Sequence, residues 1–380
     1  MPDEVLKYYR EFGKKGIEKE KEWNNIYATY KEKYAELAAE YELLSEGHLP
    51  DGWKDHLPVF KAGEEKIATR KASGKLLNAL ADFLPNLIGG SADLSPSTDT
   101  ELTGYPSFTA TNRDGRNFHF GIREHAMGSI LNGMALTKGI IPYGATFLIF
   151  SEYMRPPIRL AAIMKIRPII IYTHDSIGLG EDGTTHQPIE QLISLRSIPN
   201  ITVIRPADAN ETVQAWRVAL EHKDGPVVLV LTRQGLNVID QDKYAKASEL
   251  EKGAYIISDS EATPQLILIG TGSEVSLLFE AQQKLKEQNI ATRVVSMPSW
   301  ELFEKQDAAY KEKVFPAQLK KRLAVEAGSS IGWHKYVTDE GAVLGIDTFG
   351  HSAPADELFK YFGFTVENIV DKANKLLAKK

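Results

Sequence analysis

Residues 167–173, RPIIIYT, constrain this chain more than any other stretch. Such a continuous run of β-branched residues is expected of a strand covered on both faces, which is the habit of parallel sheets layered between helices. The flanking pattern agrees. Helical periodicity is read in KIATRKASGKLLNALADFL and GSILNGMALTKG, from Ile189, and from Ala209 to His222 behind an Asp208 cap, with strands at NLIGG, ITVIRP and PVVLVLTR. Strand and helix in alternation predict an α/β fold with a doubly wound, mainly parallel sheet. On such sheets ligands bind beyond the carboxyl ends of the strands.

This pattern covers residues 63–240. Before it, residues 1–62 are charge-rich. Trp23, Ile26, Tyr27, Tyr30, Tyr34, Leu37, Ala38, Tyr41 and Leu44 recur at three- and four-residue steps, predicting one amphipathic helix that stops near Gly47, and the whole segment reads as an arm. Residues 241–254, opening with QDKYAKASELEK, read as a linker. From 255 to 380 a second doubly wound unit follows, with strands at QLILIG, ATRVVSM, RLAVEAG and AVLGID and a closing helix TVENIVDKANKLLAKK. Its GTGSE, at 270–274, lacks the third glycine of a dinucleotide fingerprint and is expected to be a strand-to-helix turn.

Composition excludes several classes. A net charge of −6 with mixed signs argues against a nucleic-acid surface while allowing local phosphate pockets. No apolar stretch reaches membrane-spanning length, and the first residues are too charged for a signal peptide. The absence of cysteine removes disulfides and thiolate chemistry and fits a reducing compartment, so a cytoplasmic location is expected.

The loop after RPIIIYT holds the densest chemistry: HDSIGLGEDGTTHQP, at 174–188. Gly178, Gly180 and Gly183 permit tight turns, His174 and His186 can exchange protons near neutral pH, and Asp175, Glu181 and Asp182 can orient them. A zinc site is not expected, because the histidines stand twelve positions apart without a short-spaced ligand pair. Glu124 opens an apolar, small-residue helix in FGIREHAMGSILNGMA, where a buried carboxyl could share a proton with a ring nitrogen; a surface pairing with Arg123 or His125 is the plainer reading. Phe147, Phe150 and Tyr153 step by three, as core residues or as a stacking wall for a flat heterocycle. Arg70, Ser97 and Arg233 are donors suited to phosphate oxygens, although spacing alone does not bring them together.

The strings HFGIREHAM, PYGATFLIFSEY, THDSIGLGEDGTTHQPIEQ, RPADANE, TRQGLN, GTGSEV and VVSMPSWELFEKQDAAY, in this order, closely resemble transketolase, and the arm resembles that family's interdomain connector. The resemblance implies a pyrimidine-binding domain at 63–240, a C-terminal domain at 255–380, and thiamine diphosphate as cofactor. It implies that Glu124 bonds the aminopyrimidine ring and promotes its imino tautomer, within an aromatic pocket of Phe147, Phe150 and Tyr153. Asp93, in GGSADL, would stand beside the cofactor. His186 would lie near the first hydroxyl of the sugar and Asp182 would read the second. Arg70, Ser97, His174 and Arg233 would hold the sugar phosphate. The implied reaction moves a two-carbon ketol unit from a ketose phosphate to an aldose phosphate.

Thr184 stands where the family carries proline, so a looser turn is expected there. The GDG start of the family's magnesium–diphosphate motif is not found, only EDGTT, RDGRN and KDGP, and no magnesium ligand set is assigned to this chain. Magnesium is expected on a diphosphate-binding domain supplied in trans. A half-enzyme is thus implied, acting with a homodimer partner, a separate diphosphate-binding subunit, or both. Two other readings remain open: the β-type half of a 2-oxo acid dehydrogenase-like enzyme, and a non-catalytic assembly or regulatory module.

Overall fold

A computed structural model describes residues 1–378, so Lys379 and Lys380, at the end of the expected closing helix, lie outside the described residues. The chain divides into two compact units: Met1–Asp51 with Lys138–Ile140, and Gly52–Thr137 with the chain from Ile141 onward.

In the first unit, α1 (Asp3–Lys33) and α2 (Ala35–Ser45) are separated by Tyr34, at φ −134° and ψ 58°. The single helix expected through Trp23–Leu44 is therefore two, and α2 turns back on the end of α1. Tyr27 stacks on Trp23 with centroids 5.1 Å apart and meets Tyr41 at 5.7 Å, while Lys31 Nζ donates to Glu42 Oε1 at 2.7 Å. One straight helix would leave the whole seam in water; the turn buries Ala38 beneath Tyr27. Most of the seam is still exposed, Trp23 by 51%.

The second unit holds two large sheets. Its first eight strands are β1 (Ile67–Ala68), β2 (Leu87–Ser91), β3 (Asn117–His119), β4 (Ile141–Phe147), β5 (Ile169–Thr173), β6 (Thr202–Ile204), β7 (Val227–Leu231) and β8 (Gly235–Leu236). β1 and β8 form a small antiparallel ribbon. The other six make one wholly parallel sheet in the order β3-β2-β4-β5-β7-β6. β5 is the RPIIIYT run, and every residue from Ile169 to Thr173 is buried. Helices α3 (Thr69–Leu80), α4 (Ser95–Thr98), α5 (Glu124–Leu136), α6 (Ser151–Met164), α7 (Gln191–Arg196) and α8 (Ala209–Glu221) connect these strands. Asp208 caps α8 as expected, accepting from the Glu211 amide at 2.7 Å.

One face of β5 packs Ile170 and Tyr172 against Met127 and Leu131 of α5 and Met154 and Ile158 of α6. Small residues set the approach: a Cβ on Gly144 of β4 would lie 2.4 Å from Leu131 Cδ1, and one on Gly128 of α5 would lie 2.8 Å from Pro157 Cγ. The chain runs outward from β2 to β3 and then crosses back over β2 to β4. The strand order therefore reverses between β2 and β4, the place where open parallel sheets leave a crevice.

Residues 241–254 are not bare linker: Ala247 and Leu250, in a 3-10 stretch at Ala247–Lys252, are buried. The second sheet contains β9 (Tyr255–Ser258), β10 (Leu266–Gly270), β11 (Thr292–Ser296), β12 (Arg322–Val325) and β13 (Ala342–Leu344) in the order β13-β12-β10-β11-β9. All its pairs are parallel except that β9 runs antiparallel to β11 at the edge. Both sheets thus have the expected α/β, doubly wound, mainly parallel character. GTGSE forms a 3-10 turn, Gly272–Glu274, between β10 and the helix Val275–Glu287. Among the described residues no helix is long and apolar enough to cross a membrane.

Candidate active site

The fold converts a scattered list into one rim. Asp93 and Ser97 follow the carboxyl end of β2, Glu124 follows β3, Phe147, Phe150 and Tyr153 end and follow β4, His174 to His186 follow β5, and Arg233 follows β7. Arg70 opens α3 directly after β1. The residues stand far apart in sequence, yet all except Arg70, which follows the β1–β8 ribbon, leave the same edge of the parallel sheet.

Glu124 is 7% exposed and lies in the first turn of α5. Its Oε1 accepts from the Thr146 hydroxyl at 3.2 Å, so β4 fixes the carboxyl group at the switch point. The surface pairing with Arg123 or His125 is not what the structure holds. Arg123 Nη1 donates instead to the Phe120 carbonyl at 3.0 Å. Phe147 and Phe150 are near-parallel, 5.8 Å apart, and Tyr153 lies 6.2 Å from Phe150. The three do not share one helix, as they come from a strand end, a 3-10 turn and α6. They form a row from buried Phe147 to Tyr153, which is 65% exposed.

His174 stacks on Phe147 with centroids 3.6 Å apart, and His186 meets Phe150 edge-on at 5.7 Å. The two imidazoles behave differently. His174 is 3% exposed and adopts φ +60°, a left-handed conformation uncommon outside glycine, in which histidine is enriched along with asparagine and aspartate. Burial, with the charges of Arg70 and Arg233, pushes its pKa from 6.5 down to about 3. It therefore stays neutral near neutral pH, against the expectation that it exchanges protons there. In an NMR titration His174 is expected to show no midpoint across the range of about pH 5–8 where free histidine titrates; a midpoint there would contradict this environment. The unfolded chain binds a proton below 6.5 that the folded chain refuses until about 3. This histidine thus supports stability above 6.5 and withdraws it as pH falls towards 3, by up to about 1.4 kcal/mol per pH unit.

The two arginines that act on His174 also act on each other. Arg70 is half-buried, and burial lowers its pKa, with Asp99 opposing and the Arg233 charge adding to the fall. Arg70 Nη1 donates to the Ser97 carbonyl, and its Nε lies 3.6 Å from Asp99 Oδ2. Arg70, Ser97, Arg233 and His174 therefore converge, which spacing could not establish. Ser97 enters through its backbone oxygen. Asp93 is exposed at φ +65°.

Within the loop, Asp182 is exposed and His186 half-buried, with Nδ1 of His186 3.1 Å from the Thr185 hydroxyl. Asp175 does not orient a histidine. It is buried against Arg205, whose Nη2 lies 2.8 Å from Asp175 Oδ2, and Arg205 also binds Glu274 of the second domain. Glu181 contributes its carbonyl, which accepts from Ser352 Oγ at 2.7 Å. Nor is the turn at Thr184 loose, because the Thr184 hydroxyl donates to the Gly350 carbonyl at 2.9 Å. A cleft of about 350 Å³ opens at this mouth, lined by Phe150, Glu152, Tyr153, Thr184 and Phe349 among others. A larger hollow beside it, about 700 Å³, has Glu190 and Asp347 as its acids. Asp347 is engaged with Ser330, and of the candidate site residues Phe150 and Tyr153 line the smaller cleft while none lines the larger.

Residues 65–238 match the family described as "Transketolase, pyrimidine binding domain", and residues 253–365 match the "Transketolase-like TK C-terminal domain". The chain belongs to the transketolase family. It is 52% identical to the transketolase of Aquifex aeolicus, aligned over 100% of this chain and 54% of that protein. It is 50% identical to the Bacillus subtilis transketolase, over 100% of this chain and 57% of the relative. The chain thus spans about half the length of the curated relatives it matches. A Pichia stipitis transketolase crystallised with sedoheptulose 7-phosphate superposes with TM-score 0.94 at 40% identity, covering 100% of this chain and 56% of that one. A solved chain described as a split-gene transketolase, in an inactive beta4 tetramer, matches with TM-score 0.66 at 26% identity over 82% of this chain and 98% of that one.

The family's cofactor can be tested against these residues. An aminopyrimidine needs a carboxyl partner for a ring nitrogen and a flat wall for stacking, and buried Glu124 beside the aromatic row provides both. A phosphate needs converging donors, and Arg70 and Arg233 converge on His174. The ring-holding half of a thiamine site and a sugar-phosphate pocket fit. Among the described residues no group of three or more His, Cys, Asp or Glu is placed to hold a metal ion. Sequence reading missed Thr146, Arg205 and Gly350. Arg205 in VIRP and Glu274 in GTGSE carried a signal, namely charge at the ends of apolar strands.

Proposed function

We propose that this chain is the ring-binding half of a transketolase, acting with a diphosphate-binding domain, on this polypeptide or another, that carries the magnesium. The reading divides it into an arm, residues 1–62, a pyrimidine-binding domain, 63–240, a linker, 241–254, and a C-terminal domain, 255–380. The observation that carries it is the buried Glu124 carboxyl, fixed by Thr146 at the sheet's switch point beside stacked Phe147 and Phe150. Thiamine diphosphate, when bound, supplies the electron sink for carbon–carbon cleavage and formation. Glu124 holds a proton at the pyrimidine ring nitrogen, and Phe147, Phe150 and Tyr153 exclude water and fix the ring plane. Asp93 stands beside the cofactor.

The sugar enters over the loop after β5. His186 moves the proton of the first hydroxyl, and Asp182 accepts from the second, so an epimer would leave that carboxylate unpaired. Arg70, the Ser97 hydroxyl and Arg233 receive the phosphate with neutral His174. A phosphate oxygen demands a donor, which selects the tautomer with hydrogen on Nε2 and the Thr173 hydroxyl donating to Nδ1, 2.8 Å away. The donor is a ketose phosphate and the acceptor an aldose phosphate. Ile130 and Leu136 of α5 and Leu160 and Ile163 of α6 are exposed, apolar surface suited to a homodimer. A cytoplasmic location fits this chemistry.

Calorimetry tests the half-site. Thiamine diphosphate with magnesium is titrated into the chain, into a diphosphate-binding domain, and into their mixture. Saturable tight binding is expected in the mixture, weakened by Glu124→Ala. Equal binding to the diphosphate-binding domain with and without this chain would reject the shared site.

A further inference from the structure

The loop carrying Asp182 and His186 is held from outside its own domain. Ser352 Oγ donates to the Glu181 carbonyl at 2.7 Å, Thr184 Oγ1 donates to the Gly350 carbonyl at 2.9 Å, and the His351 amide donates to Gln187 Oε1 at 2.9 Å. The three anchored residues are spaced by three, and Asp182 and His186 fall in the two intervals between them. Gln187 closes the loop on itself as well, its Nε2 donating to the Gly180 carbonyl at 2.9 Å. The fit is close: a Cβ on Gly350 would lie 2.0 Å from Gln187 Oε1.

We propose that the segment Gly350–Ser352 is a positioning element for the Asp182–His186 loop, acting chiefly through the Thr184 hydroxyl. This rests on the reading that Asp182 and His186 face the sugar. Gly180 and Gly183 adopt φ +94° and +90°, and glycine, lacking a Cβ, restrains the backbone there less than any other residue would. A proline at position 184 would restrain the turn through its ring. Threonine leaves φ free but adds a donor, and here that donor reaches the second domain. Misplacing a reacting group by about 1 Å can cost about a hundredfold in rate, so an anchor between the two candidate groups has leverage on catalysis.

Amide hydrogen exchange of residues 181–187, followed by mass spectrometry on this chain alone, is the first readout. Thr184→Val should speed exchange about fivefold, the factor of one ordinary hydrogen bond, while Thr184→Ser keeps the parent rate. Ser352→Ala, which removes the neighbouring anchor from the other side, should loosen the same peptide. Unchanged exchange in Thr184→Val overturns the anchor. The second readout is kcat/KM for a ketose phosphate after mixing with a diphosphate-binding domain. It should fall in Thr184→Val and be retained in Thr184→Ser; a loosened loop with unchanged kcat/KM overturns the positioning role. If no variant turns over, parent included, the half-enzyme reading fails, and the exchange data alone decide whether the anchor exists.

Discussion

Glu124→Ala should lower turnover of the assembled enzyme by about a thousandfold, within the range of a positioned acid–base group, and leave folding and assembly intact. The carboxyl group is 7% exposed, in the first turn of α5, with one oxygen engaged by Thr146. Alanine removes the proton carrier but leaves the Thr146 hydroxyl without its acceptor, a structural cost of about 1–3 kcal/mol. Glu124→Gln separates the two effects. It keeps the volume and an acceptor for Thr146, yet cannot exchange a proton, so it should be as inactive as alanine and as stable as the parent. Rates are read in the mixture with a diphosphate-binding domain, and stability by urea unfolding of this chain. Full turnover by Glu124→Gln would remove the carboxyl from the chemistry.

The second large effect concerns stability. Arg205→Met should destabilise the chain by about 3–5 kcal/mol, the cost of stranding a buried charge. Arg205 is fully buried with Asp175 and Glu274 on either side. Burial opposes its charge, but the Glu274 and Asp175 carboxylates more than offset this and hold its pKa above the ordinary range. Burial also pushes the Glu274 carboxyl up even with Arg205 present. Without the guanidinium Glu274 rises further, and a raised carboxyl binds its proton in the folded state before the unfolded one does. The variant's deficit should therefore shrink as pH falls and grow as pH rises. Adding Asp175→Asn and Glu274→Gln to Arg205→Met should recover part of the loss. Urea midpoints across pH check both statements; a loss below about 1 kcal/mol, the scale of a surface pair, would contradict the burial. Because Asp175 is next to His174, the same variant should also disturb the phosphate end of the site.

The sheets were legible because RPIIIYT, PVVLVLTR and QLILIG are apolar runs that only a strand covered on both faces explains. The loop after β5 was legible for the same reason, since chemistry gathers at strand carboxyl ends. What escaped was what depends on residues far apart in sequence. The break at Tyr34 carries no proline or glycine, and follows from burying Ala38 in the turned-back pair. His174 reads as a proton carrier until Arg70 and Arg233, one on each side of it in sequence, arrive beside it. Asp175 reads as its neighbour's orienting acid until Arg205 and Glu274 claim it. Thr184 looks like a weakened turn until Gly350 supplies its acceptor.

Ketol transfer in the mixture addresses the whole account most directly. This chain, a diphosphate-binding domain, thiamine diphosphate, magnesium, a ketose phosphate and an aldose phosphate are combined, and the new ketose is measured. Product should form only when both proteins are present, in proportion to the limiting one. No product in the complete mixture, with both proteins folded and associated, would contradict the assignment of Glu124 and its neighbours to half of a shared catalytic pocket.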